Sequence, residues 1–387
     1  MKRGCVIGYD INEKGCQISY YDDSMEEPDT MMASSNNYLI PLVLGYFKDR
    51  WVFGKEAKRL AVVGEDCTET DLYGKAKRRE KVSLAGKTYD AVWLLAKYIS
   101  LTLQDFENIQ YLTFTTPETD VDMAKMLKGI GQHIGVDKEI INVQDYKESF
   151  CQYMIFQPKE LWQYESALFY CDEDRIKAYM LRRLRVDASH GMNSFVTVDE
   201  VANAQRKELE ALYPIMNKEK SPDESFKSMI ENVFEKKVIS SVYLTGEGFE
   251  KNWYPNSLRV LCNGRRAFMG NNLYSKGACY KSIRKCEPND DGPIYLDETK
   301  LTERICLRMR VDGQEGWYPL VTWGTHWYEA DGQWEVLLED ASDIEILVES
   351  LVDEEVQVEK VSLEGLPKRT DYSLRLQVEA MFLDERT

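Results

Sequence analysis

A short apolar run, a polar turn and an alternating return run occur twice in this chain, and that recurrence excludes most folds at once. The first copy is Gly4-Cys5-Val6-Ile7-Gly8-Tyr9-Asp10, the turn Asn12-Glu13-Lys14-Gly15 and the run Cys16 to Tyr21. β-branched and aromatic residues closed by Asn and Gly read as a hairpin. The second copy lies about 160 residues on: Ala167-Leu168-Phe169-Tyr170, the turn Asp172-Glu173-Asp174, and Ile176 to Leu181. Two hairpins of one layout predict a duplicated α/β architecture.

The segments after the first hairpin strengthen this. Tyr38 to Leu44 and Arg50 to Phe53 read as further strands. Asp90 to Phe106 places Val92, Leu95, Ala96, Ile99 and Leu103 at helical spacing behind a capping Thr88 or Asp90. Tyr111 to Thr115, Val121 to Ile134, Glu139 to Val143 and a segment from Tyr146 then read as strand, helix, strand, helix, which is α/β order. After the second hairpin, Thr197-Val198-Asp199-Glu200 and Ser221-Pro222-Asp223-Glu224 both have capping-box spacing, predicting two helices. Ile239 to Leu244, the turn Thr245-Gly246-Glu247-Gly248 and a helix around Tyr274 to Ile283 complete this part.

The charge changes at the same place as the pattern. Residues 1–286 carry 40 basic and 41 acidic side chains, whereas 287–387 carry 9 and 25. Beyond Glu287 come short alternating runs at Ile305 to Val311, Trp334 to Leu338, Ile344 to Val348, Val356 to Leu363 and Tyr372 to Phe382, an antiparallel β pattern. The expected domains are therefore 1–286, with lobes of about 1–160 and 161–286, and an acidic β-sandwich at 287–387.

A net charge of −17 opposes a polyanionic partner, and Lys75 to Lys81 is the one basic cluster, so nucleic acid is not expected. The longest apolar stretch, Tyr38 to Phe47, contains Pro41 and Gly45 and is too short for a membrane span. The apolar stretch after Met1-Lys2-Arg3 ends at Asp10, too early for a secretory leader. Nine cysteines, none at a two-residue gap, and three scattered histidines fit neither a zinc motif nor a disulfide framework. The expectation is a cytoplasmic protein with reduced thiols.

The order of elements resembles the 70-kilodalton heat-shock chaperone (DnaK-like) family of the actin-like ATPase superfamily over nearly the whole chain. Val6-Ile7-Gly8-Tyr9-Asp10-Ile11-Asn12 looks like its first phosphate hairpin. Ile40-Pro41-Leu42-Val43 with Phe53-Gly54-Lys55-Glu56-Ala57-Lys58 resembles its proline-started strand and following helix. Leu112-Thr113-Phe114-Thr115-Thr116-Pro117, then Met126 to Gly135 and Glu139 to Ser149, match its strand, proline, helix, Gly, strand and helix in order. Leu244-Thr245-Gly246-Glu247-Gly248-Phe249 resembles its adenosine turn, Gly277-Ala278 its closing helix, and Val361-Ser362-Leu363-Glu364-Gly365-Leu366-Pro367 a turn of its peptide-binding sandwich. The resemblance implies a two-lobed ATPase fold followed by a C-terminal antiparallel β-sandwich, with ATP or ADP and magnesium between the lobes and a protein or peptide partner on the sandwich. It also implies a helical lid, which is not expected within residues 287–387.

The phosphate turns depart from that family. Phosphates need backbone N–H groups brought close by glycine or small hydroxyl residues. Here the first turn reads Asn12-Glu13-Lys14 and the second Cys171-Asp172-Glu173-Asp174-Arg175, with no glycine. An acidic side chain about 4 Å from a phosphate costs about 4 kcal/mol at an effective dielectric near 20. Leu184 to Val238 is also shorter than the family segment that grips adenine. The expectation is a chaperone-like, protein-binding pseudoenzyme with a degenerate nucleotide site. The alternatives are a slow magnesium-dependent ATPase and an actin-like assembly scaffold.

The resemblance implies Asp10, Glu148 and Asp172 as catalytic candidates, with Asp10 on the metal side if magnesium binds, although Asp10 also suits a turn cap and Glu148 a helix first turn. Nucleotide contacts would come from Asn12, Lys14, Lys77, Gly246 and Gly248; Lys77 sits in what reads as a solvated basic loop. Trp317, Trp323, Trp327 and Trp334, close together with Tyr318 and Tyr328, are partner-binding candidates, or the core and rim of a small sandwich.

Overall fold

The computed structural model describes residues 4–34, 37–63, 67–184, 194–205, 222–286, 292–330, 332–338, 343–351, 356–366, 374–380 and 382. The chain forms two units, Met1–Arg182 with Val198–Asp290, and Arg183–Thr197 with Asp291–Thr387.

The first unit opens with β1 (Cys5–Ile11), β2 (Gly15–Tyr21), β3 (Asp29–Thr30), β4 (Ile40–Pro41), β5 (Leu44–Phe47) and β6 (Arg50–Phe53). Next come α1 (Gly54–Val63), β7 (Thr68–Glu69), α2 (Leu72–Lys77), β8 (Lys81–Leu84), β9 (Lys87–Asp90), α3 (Ala91–Thr102), β10 (Ile109–Thr116), α4 (Val121–His133), β11 (Ile141–Asp145) and α5 (Tyr146–Ile155). The later half comprises β12 (Glu165–Cys171), β13 (Arg175–Leu184), β14 (Phe195–Gln205), α6 (Pro222–Phe234), β15 (Ile239–Thr245), α7 (Pro255–Leu261), β16 (Arg266–Met269) and α8 (Leu273–Cys286).

One sheet runs β11-β10-β1-β2-β3, the other β16-β15-β12-β13-β14. The pairings of their central strands match, although β4 also pairs with β2 in the first sheet. β1 is antiparallel to β2 and parallel to β10, and β12 is antiparallel to β13 and parallel to β15. Even the irregularity recurs, because the parallel register slips between Cys5 and Val6 in one sheet and between Glu165 and Ser166 in the other.

β1 is buried on both faces, which its unbroken apolar run requires. With a side-chain period of two, Ile7, Tyr9 and Ile11 share one face and Gly8 and Asp10 the other. Tyr9 bonds Thr102 of α3 at 2.8 Å, whereas Gly8 lies under α8, where a Cβ would overlap the Ser275 carbonyl oxygen and the Cys279 nitrogen. A Cβ on Gly277 of α8 would likewise overlap the Ser149 carbonyl of α5. Glycine at these two contacts lets α8 lie against both β1 and α5. From the other side of that crossing, Phe150 of α5 meets Tyr243 of β15 edge-on at 6.0 Å. The core beside the second sheet gathers Phe169, Phe226, Ile230, Leu244 and Phe249.

Side-chain caps set the helix starts. Asp90 accepts from Val92 and Trp93, Asp120 from Met123 and Asp145 from Glu148. The helix expected after Ser221 begins with Pro222 as its first residue, and Asp223 in its first turn caps α7 by accepting the N–H groups of Asn256 and Ser257, both at 2.8 Å. Ser221, which forms the expected box with Glu224, lies outside the described residues.

Three local expectations are corrected. Thr197-Val198-Asp199-Glu200 is strand, inside β14, because its β-branched residues alternate inward against β13. The expected strand Tyr38 to Leu44 breaks at Pro41, which lacks an N–H, and resumes at Leu44. The expected basic loop keeps a turn at Arg78 to Glu80, but Lys75 to Lys77 are the end of α2 and Lys81 opens β8, with Lys75 paired to Glu69 at 2.8 Å.

The second unit holds β17 (Ile294–Tyr295), β18 (Glu303–Val311), β19 (Gln314–Val321), β20 (Gly332–Leu338), β21 (Asp343–Ser350), β22 (Val356–Ser362) and β23 (Leu374–Ala380). Antiparallel β19-β18-β21-β22 forms one sheet and β20-β23 another. The alternating runs beyond residue 287 did not mark β19 apart from its neighbours. Nor does the boundary at 287 include Arg183–Thr197, whose Phe195 packs with Leu296, Trp323 and Leu351.

Candidate functional site

The two matching hairpins of the first unit end at one cavity of about 600 Å³. Asp10 and Gln17, cross-strand partners in β1 and β2, line it with Asn12 and Lys14 from their turn. Tyr170 enters from β12, Thr245, Gly246 and Glu247 from the end of β15, Tyr146 from α5 and Tyr274 from α8.

The turns are closed by their own side chains. Asn12 Oδ1 accepts the backbone N–H groups of Lys14 and Gly15, at 2.9 and 3.2 Å. In the second hairpin Asp172 Oδ1 does the same for Asp174 and Arg175, at 2.7 and 2.8 Å. These are Asx turns, and they engage the very amides that an anion would seek.

Asp10 is 3% exposed and accepts the Tyr146 hydroxyl at 2.7 Å; that hydroxyl accepts Asn12 Nδ2 at 2.9 Å. Burial pushes the Asp10 carboxyl up to about 7, with the Tyr146 hydrogen bond opposing it. The Tyr146 ring stacks on Tyr274 at 3.7 Å between centroids and 7° between planes. Burial holds both phenols far above their ordinary range. Lys14 forms an ion pair with Glu247, joining the first hairpin turn to the turn after β15. Burial lowers the Lys14 ammonium, but the Glu247 hydrogen bond and the charges of Glu247, Asp172 and Glu173 leave it raised.

Gly246 has φ +99°, its N–H donates to Asn271 Oδ1 at 3.2 Å, and a Cβ there would overlap the Cys171 carbonyl oxygen. Gly248 lies beneath it, where a Cβ would meet the Cys171 sulfur. The glycine pair therefore seats this turn on the end of β12.

Of the residues singled out from the sequence, Asp10, Asn12, Lys14 and Gly246 line the cavity. Glu148 does not. It is 2% exposed in the first turn of α5 and its carboxylate meets Lys281 of α8 at 2.9 Å, so it belongs to the α5–α8 contact. Asp172 is held by its own turn, and Lys77 is exposed in the last turn of α2; neither lines the cavity. Among the described residues, no three His, Cys, Asp or Glu side chains gather as a metal site.

The tryptophans divide in the second unit. Trp323 is 6% exposed, under Arg304 at 4.4 Å, and Trp327 and Trp334 pack on Leu301, Val321 and Ala330. Only Trp317 of the four presents much surface, 39%. Sequence reasoning does not reach Tyr146, Gln17, Tyr170 or Tyr274. Gln17 was accessible in principle, since a turn at Asn12–Gly15 puts it opposite Asp10, but the tyrosines meet only because α5 and α8 cross.

The fold and site define a two-sheet α/β protein with a tyrosine-lined cleft and a separate antiparallel β unit. The chain belongs to the family of unknown function DUF5716, whose C-terminal model matches residues 27–298, and residues 300–387 match a domain of unknown function, DUF8552. No curated protein matches the chain. Among the described residues no helix is long and apolar enough to cross a membrane.

Proposed function

We propose that this protein is a chaperone-like, protein-binding pseudo-ATPase, built on a duplicated actin-like fold with an acidic β-sandwich. The matched pairings of the central strands of the two sheets, including the slipped register, support the duplication. One observation carries the loss of nucleotide chemistry. Asn12 and Asp172 each occupy two turn amides of their hairpin, so a triphosphate would have to displace four side-chain-to-amide hydrogen bonds to reach those donors. The Lys14–Glu247 pair and the charge of Asp10 add to that cost.

Partner binding falls to the second unit. A groove of about 810 Å³ there is lined by Leu307, Met309, Val336, Leu338, Ile344 and Leu376. The net acidity of 287–387 favours a basic or polar protein segment by steering. All nine cysteines are free thiols, which suits a reducing, cytoplasmic setting.

Calorimetry of the full chain with ATP, ADP and magnesium tests the reading. No saturable heat is expected; micromolar binding, or steady-state hydrolysis that falls in Asp10→Ala, overturns it. The slow-ATPase alternative needs Asp10, Glu148 and Asp172 around one magnesium ion, and the Glu148–Lys281 pair speaks against it. The scaffold alternative predicts concentration-dependent light scattering.

A further inference from the structure

A cleft unsuited to phosphate still has to satisfy the polar atoms that it buries. Tyr274 is 4% exposed and Gln17 9%, and the Tyr274 hydroxyl and Gln17 Oε1 are buried without a hydrogen-bond partner. Both residues line the cavity. Unpartnered buried polar atoms cost about 1–3 kcal/mol each unless a ligand or water meets them.

The surrounding groups indicate what such a ligand must carry. Several donors are already engaged: Asn12 Nδ2 points to Tyr146, the Tyr146 hydroxyl to Asp10, and Lys14 to Glu247. Asn271 Nδ2 donates to Glu250 at 3.2 Å. Acceptor character and negative charge remain. Gln17 Oε1 can only accept, and of the ionisable carboxyl and amine side chains on the lining, Asp10, Glu247 and Glu250 face a single lysine that is already paired. The walls add the rings of Tyr38, Tyr146, Tyr170 and Tyr274, and aromatic faces attract cations.

We propose that this cleft binds a small organic ammonium ion, whose N–H donors meet Asp10, Gln17 Oε1 and the Tyr274 hydroxyl while its carbon chain lies against the tyrosines. An ammonium brings three donors and no acceptor, the complement of this set. A neutral polyol would bring donors without the charge, and a phosphate would bring only acceptors and the wrong charge. The inference rests on the unpartnered polar atoms and the excess of negative charge in the cleft, and does not depend on the protein's being a chaperone or a pseudo-ATPase.

The test is calorimetry on the full chain with 1,4-diaminobutane, with 1,4-butanediol as the uncharged counterpart of equal length. Magnesium chloride and Mg-ATP are separate arms. Saturable binding of the diamine is expected, weakened about tenfold or more in Asp10→Asn, which loses a charge-assisted contact, and less in Tyr274→Phe. No saturable diamine binding overturns the proposal, as does equal binding of the diol or equal affinity in folded Asp10→Asn. Magnesium binding that displaces the diamine would assign the site to the metal and overturn it too. Heat from Mg-ATP would sink the pseudo-ATPase reading alone, whereas failure of the diamine would leave that reading standing.

Discussion

Asp10→Asn isolates the energetic cost of the cleft carboxyl. The ordinary carboxyl titrates near 3.8 and this one near 7, so at about 1.4 kcal/mol per pH unit the folded state resists its ionisation by about 4 kcal/mol. The folded value is raised. The contribution is therefore fully present below about pH 3.8, where Asp10 is neutral in both states, and is lost as the pH rises through about 7. Asparagine copies the neutral form and can still accept the Tyr146 hydroxyl. Between about pH 5 and about pH 8 the variant should gain about 2.5 kcal/mol relative to the wild type. The groups facing Asp10 do not confuse the signal. Tyr146 of α5, Tyr73 of α2, Tyr170 of β12, Tyr274 of α8, Tyr9 of β1 and Cys16 of β2 are all pushed upward, by burial first, and stay neutral over that range. Urea unfolding monitored by near-ultraviolet circular dichroism, in amine-free buffer, measures the difference at each pH. A difference that is flat, or that favours the wild type as pH rises, refutes the reasoning.

Gly277→Ala should lower the melting temperature by roughly 2–10 °C, because its methyl would enter the backbone of Ser149; an unchanged melting curve would show that α5 and α8 do not touch there. Trp323→Ala should destabilise the chain by about 3–5 kcal/mol and the more exposed Trp317→Ala by less, read from urea midpoints. Glu247→Gln breaks an ion pair whose side chains are 47% and 40% exposed, so unfolding free energy should fall by less than about 1 kcal/mol. Asn12→Gly frees the Lys14 and Gly15 amides, and weak, salt-sensitive binding of inorganic pyrophosphate should appear where the wild type shows none.

Much of the architecture was legible because it rests on short-range chemistry. The run Val6 to Tyr9 is apolar enough to be buried on both faces, Asp90 stands where α3 begins, and the two hairpin layouts recur at the same spacing as the two observed hairpins. Failures came where tertiary pairing overrode a local signal. Thr197 to Glu200 has capping-box spacing, yet β13 offered a strand to pair with, and Val196 and Val198 were free to turn inward. Asp223 shows the same in reverse, since its carboxylate serves a helix more than thirty residues away.

The site divides along the same line, and the division explains why its negative character was easier to read than its positive one. That Asn12 and Asp172 stand where small residues would cradle phosphate is visible in the sequence; that each side chain then takes two amides of its own turn results from the Asx geometry of a tight hairpin. Glu148 looked catalytic because the resemblance places it near a catalytic glutamate position, but a residue three places into α5 faces whatever crosses that helix, and Gly277 lets α8 do so, bringing Lys281 to it. The same crossing brings Tyr274 against Tyr146, and hence an unpartnered hydroxyl to the cleft that Asp10 also lines. Glycines at 8 and 277 therefore determine the chemistry of the cleft without contributing an atom to its wall. A larger residue at either would move the tyrosine pair before it changed any group that touches a ligand.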